Sequence, residues 1–144
     1  MTRIVAAILF ILLTAASAQA EMVSIAGGKV NMRSGPGTSH QVLWELGLGY
    51  PLKVIGRKGG WLQVRDFEAD EGWVLGKLTS RRPFMVVQRP RVNVRQGPGT
   101  GHRLLGQAEY GMIFPTLARQ GRWVKVRYDH RTEGWIRRDL LWGW

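Results

Sequence analysis

The sequence contains no cysteine, so neither a disulfide bond nor a thiolate metal site can stabilise it. Beyond residue 20 it also lacks any stretch with helical periodicity over three turns. Acidic residues are scarce, because ten Asp and Glu stand against 21 Lys and Arg. These absences exclude a disulfide-stabilised fold and a helical bundle, and they leave a fold that must depend on the packing of Trp, Val, Leu and Ile.

The long hydrophobic run of this chain lies at its start. Arg3 precedes an apolar run over residues 4–13, and small residues then lead to an A-x-A cleavage pattern that ends at Ala20. The run is shorter than the roughly 20 residues that a membrane-spanning helix needs, although an uncleaved membrane anchor is the alternative. The pattern therefore predicts a signal helix over residues 1–20, cleaved after Ala20. It also predicts a periplasmic or secreted protein with no stable membrane span after cleavage.

The chain is strongly basic, with a formal net charge of +11. Loss of Arg3 with the signal leaves 20 cationic and ten acidic residues, a net charge of +10. Such an excess favours an anionic partner. For an exported protein that partner is a cell-wall polymer, lipopolysaccharide or a phospholipid headgroup, and not nucleic acid. The alternative is that the charge only keeps the protein soluble.

Two nearly identical stretches define the organisation of the chain. Residues 30–40 and residues 92–102 both read V-N-x-R-x-G-P-G-T-x-H. The same spacing carries Trp61 onto Trp123, and it carries the Glu-Gly-Trp run at 71–73 onto a second such run. The chain therefore contains two copies of one repeated module. We predict a first domain over residues 21–82 and a second over residues 83–144, because the polar joint Ser80–Pro83 separates the copies.

Short strands account for each module. Apolar and polar residues alternate from Trp61 to Arg65, which places Leu62 and Val64 on one face of a strand and the residues between them on the other. The Gly-Pro-Gly run at 35–37 predicts a turn, and it lacks the G-K-[ST] ending of a phosphate-binding loop. Five or so strands in about 60 residues are typical of a small barrel. The fold class is therefore all-β, with two tandem small barrels.

Three sequence pieces, taken in order, resemble the bacterial Src-homology-3-like (SH3b) domains, especially the tandem exported kind. The pieces read V-N-x-R-x-G-P-G-T, then G-x-W-x-x-V-R, then E-G-W-[VI], and both modules contain all three. The resemblance covers essentially the whole mature chain. It implies a five- to six-stranded β-barrel in each module and a role in attaching exported proteins to the cell wall, often by binding peptidoglycan peptides.

Eukaryotic SH3 domains are more distant relatives in fold. Trp61 and Trp123 fall where their groove tryptophan is expected. The first loop here has Arg33 or Arg95 and no acidic residue that could meet a basic ligand residue. Recognition of proline-rich peptides is therefore not expected.

Four tryptophans are candidate ligand contacts: Trp61, Trp73, Trp123 and Trp135. Strict alternation puts them on the polar side of their strands, where an indole face can form a platform for a sugar ring or a peptide. The alternative is that a bulge turns each ring into the barrel core, and this burial is the favoured interpretation for Trp73 and Trp135. Of the four, Trp61 and Trp123 are the preferred ligand contacts.

Four arginines recur at equal positions in the two modules: Arg33, Arg65, Arg95 and Arg127. A guanidinium can bind a carboxylate by two parallel hydrogen bonds, and muramyl peptides end in carboxylates. The alternative is that these arginines form internal ion pairs with Glu71 and Glu133. The joint recurrence of Arg and Glu favours that structural role.

Catalysis finds little support in the repeated residues. His40 and His102 recur, but hydrolysis would need a nucleophile or a carboxylate pair nearby. The serines of the first loop, Ser34 and Ser39, are not repeated. Three scattered histidines also do not make a zinc site. The sequence therefore predicts a non-enzymatic protein without cofactor or metal.

The combined prediction is an exported module that binds peptidoglycan peptide or another anionic envelope polymer. The alternative is a periplasmic protein–protein interaction adaptor, whose ligand is a strand or loop of an envelope protein added at a barrel edge. The ending 141–144 has no counterpart after Leu78. It is predicted to pack over one barrel's open edge or between the barrels, and insertion at a membrane interface or contact with a partner is the alternative.

Overall fold

The computed structural model describes residues 20–144, which form β-strands and two single 3₁₀ turns. Except for Ala20, the predicted signal peptide (residues 1–20) is outside the described residues. It therefore stays a prediction. In the described part of the chain no helix is long and apolar enough to cross a membrane. The prediction of an all-β protein is confirmed.

Each module contributes seven strands and one 3₁₀ turn. The first module contains β1 (Met22–Ile25), β2 (Val30–Arg33), β3 (Val42–Leu46), β4 (Pro51–Lys58), β5 (Trp61–Arg65), β6 (Glu71–Leu75), the turn Gly76–Leu78, and β7 (Thr79–Ser80). The second module contains β8 (Phe84–Val87), β9 (Arg91–Arg95), β10 (Leu104–Glu109), β11 (Ile113–Gln120), β12 (Trp123–Arg127), β13 (Glu133–Arg137), the turn Arg138–Leu140, and β14 (Leu141–Gly143).

The two modules share one topology. The first sheet has the order β3-β2-β6-β5-β4-β1-β7, and the second has the equivalent order β10-β9-β13-β12-β11-β8-β14. In the first sheet the long strand β4 pairs with β1 through Pro51–Lys53 and with β5 farther along. Its register shifts between Val54 and Gly56. Such a bulge bends the strand, so one strand serves both halves of a curled sheet.

Each curled sheet encloses its own apolar core. The first core contains Val23, Ile25, Val30, Met32, Leu46, Leu52, Leu62, Val64 and Val74. The second contains Met85, Val87, Val92, Val94, Ala108, Phe114, Val124, Val126, Ile136 and Leu141. Strands from both halves of each sheet order, such as β3 and β1 in the first sheet and β10 and β14 in the second, meet in one cluster, as they do when a sheet curls into a barrel. The prediction of two small SH3-like barrels is confirmed.

The glycine of each Glu-Gly-Trp run has a steric reason. A Cβ atom on Gly72 would lie 2.7 Å from the Met32 Cγ atom and 3.0 Å from the Arg33 carbonyl oxygen. Strand β6 can therefore approach β2 closely only with glycine at this position. The residue after it, Trp73, then points away from the core, because successive side chains alternate across a strand.

The two barrels contact each other through aromatic side chains. The rings of Phe67 and Tyr110 lie 5.4 Å apart, and the rings of Tyr50 and Phe67 lie 6.3 Å apart. Phe84, which is 6% exposed, packs against Gly49. We call this group of four aromatic side chains and one glycine the aromatic joint.

A hydrogen bond anchors one ring of the aromatic joint. The Tyr50 hydroxyl donates a bond of 3.1 Å to Asp66 Oδ2. Burial and the nearby Asp66 carboxylate raise the pKa of Tyr50. The hydroxyl therefore stays protonated and keeps its role as donor.

The C-terminal segment completes the second barrel. Strand β14 pairs with β8, with Leu141 opposite Val87 and Trp142 opposite Val86. Leu141 is 5% exposed and belongs to the second core. The segment thus forms an edge strand in the place that β7 takes in the first barrel, and Trp144 extends beyond it between the barrels.

We predict that Gly72→Ala lowers the free energy of unfolding by about 1–3 kcal/mol, because the added methyl group overpacks the contact with Met32. Denaturant unfolding measures this change. The matched control is Gly28→Ala, since a Cβ atom at Gly28 meets nothing within 4 Å. This control should stay within about 0.5 kcal/mol of the parent protein. Equal losses for the two variants would contradict the steric explanation.

Candidate ligand-binding site

All four candidate tryptophans lie on the outward face of the barrels. They are half-buried and belong to neither core cluster. In the first barrel Trp61 lies opposite Leu75, and Trp73 lies opposite Gln63. Because Leu62 and Val64 fill the inner face of β5, and Gly72 and Val74 that of β6, strict alternation holds. The core burial favoured for Trp73 and Trp135 is therefore wrong.

Trp61 and Trp123 line two separate grooves. The groove beside Trp61 has a volume of about 410 Å³, and its charged lining residues include Arg57 and Lys77. The groove beside Trp123 is smaller, about 200 Å³, and Arg91 is among its charged lining residues. Each barrel therefore presents one indole ring next to cationic side chains.

The grooves differ in their position on the barrel. Beside Trp61 the groove extends toward the first and last strands of the barrel, where Thr79 and Ser80 line it. Beside Trp123 it extends toward β9 and the following loop, where Asn93 and Thr100 line it. The two barrels thus share a fold without presenting the same surface.

Arg33 and Arg95 hold the loop of their own barrel. Arg33 Nη1 donates hydrogen bonds of 3.0 Å to the carbonyl oxygens of Thr38 and His40. In the second barrel Arg95 Nη1 donates a bond of 3.1 Å to the carbonyl oxygen of His102. The predicted alternative for these two arginines, an ion pair with a glutamate, is therefore replaced by a contact with loop carbonyls.

The same loop explains the long shared motif. The His40 ring packs against Gly35, where a Cβ atom would overlap it, and His102 packs against Gly97 in the same way. The main chain closes the loop, because the Ser34 amide donates a 2.9 Å hydrogen bond to the carbonyl oxygen of residue 41. Conformational and packing demands thus account for the Arg, Gly and His of V-N-x-R-x-G-P-G-T-x-H.

Arg65 and Arg127 form the internal ion pairs that were the alternative to ligand binding. Arg65 Nε donates a 2.9 Å hydrogen bond to Glu71 Oε1. Arg127 Nη2 lies 2.9 Å from Glu133 Oε1, and Lys125 Nζ lies 2.8 Å from Glu133 Oε2. The hydrogen bond from Lys125 and the charges of Lys125 and Arg127 hold the pKa of Glu133 below its ordinary value.

Arginine and tryptophan do meet on the outward face. Arg33 is the cross-strand partner of Trp73, and Arg95 is the partner of Trp135. Arg95 also lines the groove of Trp123. The second barrel therefore brings two candidate tryptophans, Trp123 and Trp135, to one candidate arginine, Arg95, whereas in the first barrel Arg33 does not line the groove of Trp61.

Sequence reasoning missed a group of charged residues near the joint between the barrels. Arg57 forms an ion pair with Glu21, and Arg81 Nη2 lies 3.4 Å from the same carboxylate. Arg119 and Arg138 lie in the same region. An alignment of the two modules could have revealed this group, because not all of its charged residues are repeated. Glu21 aligns with a proline of the second module, and Arg138 aligns with a glycine of the first.

Sequence profiles described as bacterial SH3 domain match residues 26–80 and residues 90–141. The chain belongs to the bacterial SH3 domain family. It carries two such domains in tandem, so the resemblance drawn from the repeated motifs is confirmed. The two matched ranges fall on opposite sides of the joint near residue 82.

Among known proteins, the tandem SH3 domains are similar to YrvJ of Bacillus subtilis (strain 168), which is named provisionally as an N-acetylmuramoyl-L-alanine amidase. The identity is 26% over 136 residues, which cover 87% of this chain and 26% of YrvJ. The chain thus spans about a quarter of that relative's length. The match contradicts the prediction of a non-enzymatic protein, because the relative bears the name of an enzyme. That prediction was wrong because it rested on the lack of a nucleophile, a carboxylate pair or a zinc site within the two modules, and such a lack does not separate the modules from a protein named as an enzyme that contains a similar region.

Solved structures with a similar arrangement include an NlpC/P60 family protein from Bacillus cereus ATCC 10987, at a TM-score of 0.39 and 16% identity, covering 85% of this chain and 56% of that one. Another is NlpC2 from Trichomonas vaginalis, at a TM-score of 0.39 and 14% identity, covering 86% of this chain and 48% of that one. Both TM-scores lie below 0.5, so the two structures resemble this chain only weakly.

We predict that Arg33→Gln loosens the loop after β2, because the carbonyl oxygens of Thr38 and His40 lose their charged donor. Amide hydrogen exchange at Ser34 and His40 should become faster, and the free energy of unfolding should fall by about 1 kcal/mol. Arg65→Gln removes a surface ion pair of the same barrel and serves as the control. It should leave exchange in the loop unchanged and stability within about 0.5 kcal/mol. Unchanged exchange in Arg33→Gln would contradict the assignment.

We predict that Lys125→Gln raises the pKa of Glu133 toward its ordinary value, because Lys125 is the main cause of its lowering. A group with a lowered pKa stabilises the fold above its unfolded-state pKa, and this stabilisation is lost as pH falls through the folded-state value. The variant should therefore lose less stability on acidification than the parent. An NMR titration of the Glu133 carboxyl measures the pKa, with Arg103→Gln as the control. A pKa unchanged by Lys125→Gln would refute the prediction.

Proposed function

We propose that the tandem SH3 domains bind peptidoglycan peptide in the cell envelope and serve cell-wall hydrolysis by holding the wall polymer. The observation that carries this proposal is the groove in each barrel, where one outward tryptophan stands beside cationic side chains. The setting is the periplasm or the cell exterior, as the predicted signal peptide requires. The partner is peptidoglycan or another anionic envelope polymer.

The tryptophans and the cationic residues of the grooves contact different parts of the ligand in this proposal. The indole faces of Trp61 and Trp123 offer flat apolar surfaces for a sugar ring or a peptide side chain. Lys77 in the first groove and Arg91 in the second form no ion pair within residues 20–144, so they are available to bind a ligand carboxylate.

The predicted arginine contacts remain compatible with the proposal. Arg33 and Arg95 use Nη1 for the loop carbonyls, and a guanidinium has five N–H donors. Their remaining donors can bind a carboxylate while the loop stays closed. Arg65 and Arg127 already face a glutamate carboxylate of their own barrel, with which a ligand would have to compete. We therefore assign the leading roles to the residues lining the grooves.

The similarity to an amidase supports a connection with wall hydrolysis. A protein that is named as an N-acetylmuramoyl-L-alanine amidase contains a region that matches 87% of this chain. A binding unit that holds the polymer raises the concentration of cleavable bonds near a hydrolytic centre, because tethering makes the second encounter intramolecular. This effect requires affinity for the polymer but no particular position of the grooves.

The second candidate function is a protein–protein interaction adaptor, and one observation favours it. Strand β3 is an edge strand, and it exposes Val42, Leu43 and Trp44 at 43%, 39% and 55%. An apolar edge strand can pair with an extended segment of a partner protein. Cross-linking in the envelope tests this candidate, because Trp44→Ala should then abolish a reproducible cross-linked partner.

The test of wall binding is retention on purified peptidoglycan sacculi at low salt. We predict that Trp61→Ala and Trp123→Ala each weaken binding by more than about 1 kcal/mol, the usual loss at an aromatic contact residue. The matched control is Trp44→Ala, which removes an exposed tryptophan outside both grooves. Absence of retention with folded protein would refute the proposal, and so would an equal loss in the control.

A further inference from the structure

A cleft lies between the two barrels, lined by residues of both. Its volume is about 680 Å³. Glu21 and Arg81 line one side, and Arg119, Arg138 and Trp144 line the other. The cleft adjoins the groove of the first barrel, with which it shares Glu21 and Arg81, but it contains none of the eight residues considered above as ligand contacts.

The comparison of the two barrels shows why this cleft is unusual. Arg57 and Arg119 occupy equivalent positions in β4 and β11 when the two copies are aligned. Arg57 donates a hydrogen bond to the Glu21 carboxylate. At the position equivalent to Glu21 the second barrel has Pro83. Arg119 has therefore lost the carboxylate that neutralises its counterpart, and within residues 20–144 it forms no ion pair.

A second cation stands close to Arg119. Arg138 takes the place that Gly76 has in the first barrel, and it too forms no ion pair within the described residues. Partial desolvation and the charge of Arg138 lower the pKa of the Arg119 guanidinium. Two like charges held in one cleft repel each other, and the repulsion is relieved when an anion lies between them.

The negative charge at the cleft is insufficient to neutralise these cations. Glu21 is the acidic residue of the lining, and it already serves Arg57 as well as Arg81. The cleft therefore keeps an excess of positive charge from Arg119 and Arg138. An external anion that binds in the cleft would neutralise this positive charge.

We propose that this cleft is a second binding site, which takes a phosphate group carried by an anionic envelope polymer and holds it between Arg119 and Arg138. The two oxygens of a carboxylate lie in one plane and match one guanidinium fork, whereas the non-bridging oxygens of a tetrahedral phosphate point in different directions, so that each can face its own guanidinium. Among the lining side chains that belong to residues 20–144, only Met22 and Trp144 are large and apolar, and both are half-buried. This favours a polymer in solution over a bilayer, into which apolar side chains would have to insert.

The proposal shares with the proposed function its setting in the envelope, an anionic polymer as ligand and the lining residues Glu21 and Arg81, but the two depend on different side chains and can fail separately. Binding of phosphate at the cleft does not require Trp61 or Trp123. Conversely, binding of peptide in the grooves does not require Arg119 or Arg138.

The first experiment titrates inorganic phosphate into the protein and follows the Nε–Hε resonances of its arginines by NMR, with acetate at equal ionic strength for comparison. We predict saturable shifts at Arg119 and Arg138 with phosphate and weaker shifts with acetate. Shifts spread evenly over the exposed arginines, or no saturable shift at either residue, would overturn the proposal. This measurement uses the unaltered protein, so it does not depend on whether a variant folds.

The second experiment measures binding of a soluble poly(glycerol phosphate) chain to the double variant Arg119→Gln/Arg138→Gln. We predict a loss of affinity of roughly ten-fold or more, since two charged donors are removed. The matched control, Arg103→Gln/Arg131→Gln, removes the same charge from exposed arginines outside the cleft and should keep most of the affinity. An equal loss in both variants would show that only net charge matters and would overturn the proposal.

Two further arms separate the alternatives. Vesicles of phosphatidylglycerol that bind more tightly than the polymer, with the same dependence on Arg119 and Arg138, would overturn the assignment to a polymer. Sacculi freed of phosphate polymers should bind the double cleft variant as well as the parent. Loss of binding to these sacculi in the Trp61→Ala/Trp123→Ala variant, with phosphate binding intact, separates the groove from the cleft.

Discussion

The close approach of β2 to β6, and of β9 to β13, is the constraint on which each barrel depends. These strands pair at one residue only, Arg33 with Trp73 in the first barrel. The junction of β2 with β6 inside the sheet therefore rests on the side-chain packing of Met32 over Gly72 more than on a hydrogen-bonded ladder. In a domain of about 60 residues without disulfides, little other packing is available to replace this contact. The same contact turns Trp73 outward, so this junction and the outward aromatic face have one cause.

The sequence predicted what the two modules have in common. Alternation placed Leu62 and Val64 in the core and Trp61 outside it, and the structure agrees. Recurrence of Arg with Glu predicted the ion pair of Arg65. The hydrogen bonds of Arg33 to loop carbonyls were not predictable from spacing. Every residue has a main-chain carbonyl oxygen, so the residue types of a sequence do not show which carbonyl oxygens accept a side-chain hydrogen bond.

The contact between the barrels was unpredictable for a different reason. When the two copies are aligned, Tyr50, Phe67, Phe84 and Tyr110 correspond to Met112, Asp129, Met22 and Leu48. Each surface of this head-to-tail contact is used once, so neither its residues nor their chemistry needs to recur in the other copy. A search for repeated features passes over such positions. Contacts between two copies of a module are formed by residues that differ between the copies. Residues that both copies share do not reveal such contacts.

The same reasoning bears on the meaning of the basic charge. Several acidic residues are engaged inside the fold: Glu21, Glu45, Glu71, Glu133 and Asp139 form ion pairs, while Asp66 and Asp129 accept main-chain hydrogen bonds in their own loops. Solubility requires only that a net charge be present and sets no demand on where it lies. Among residues 20–144, the cationic side chains without an ion-pair partner include Arg119 and Arg138, which share a concave cleft although their repulsion would be smaller on separate convex surfaces. Charge that is concentrated where it is costly is better explained by an anion that binds there than by solubility.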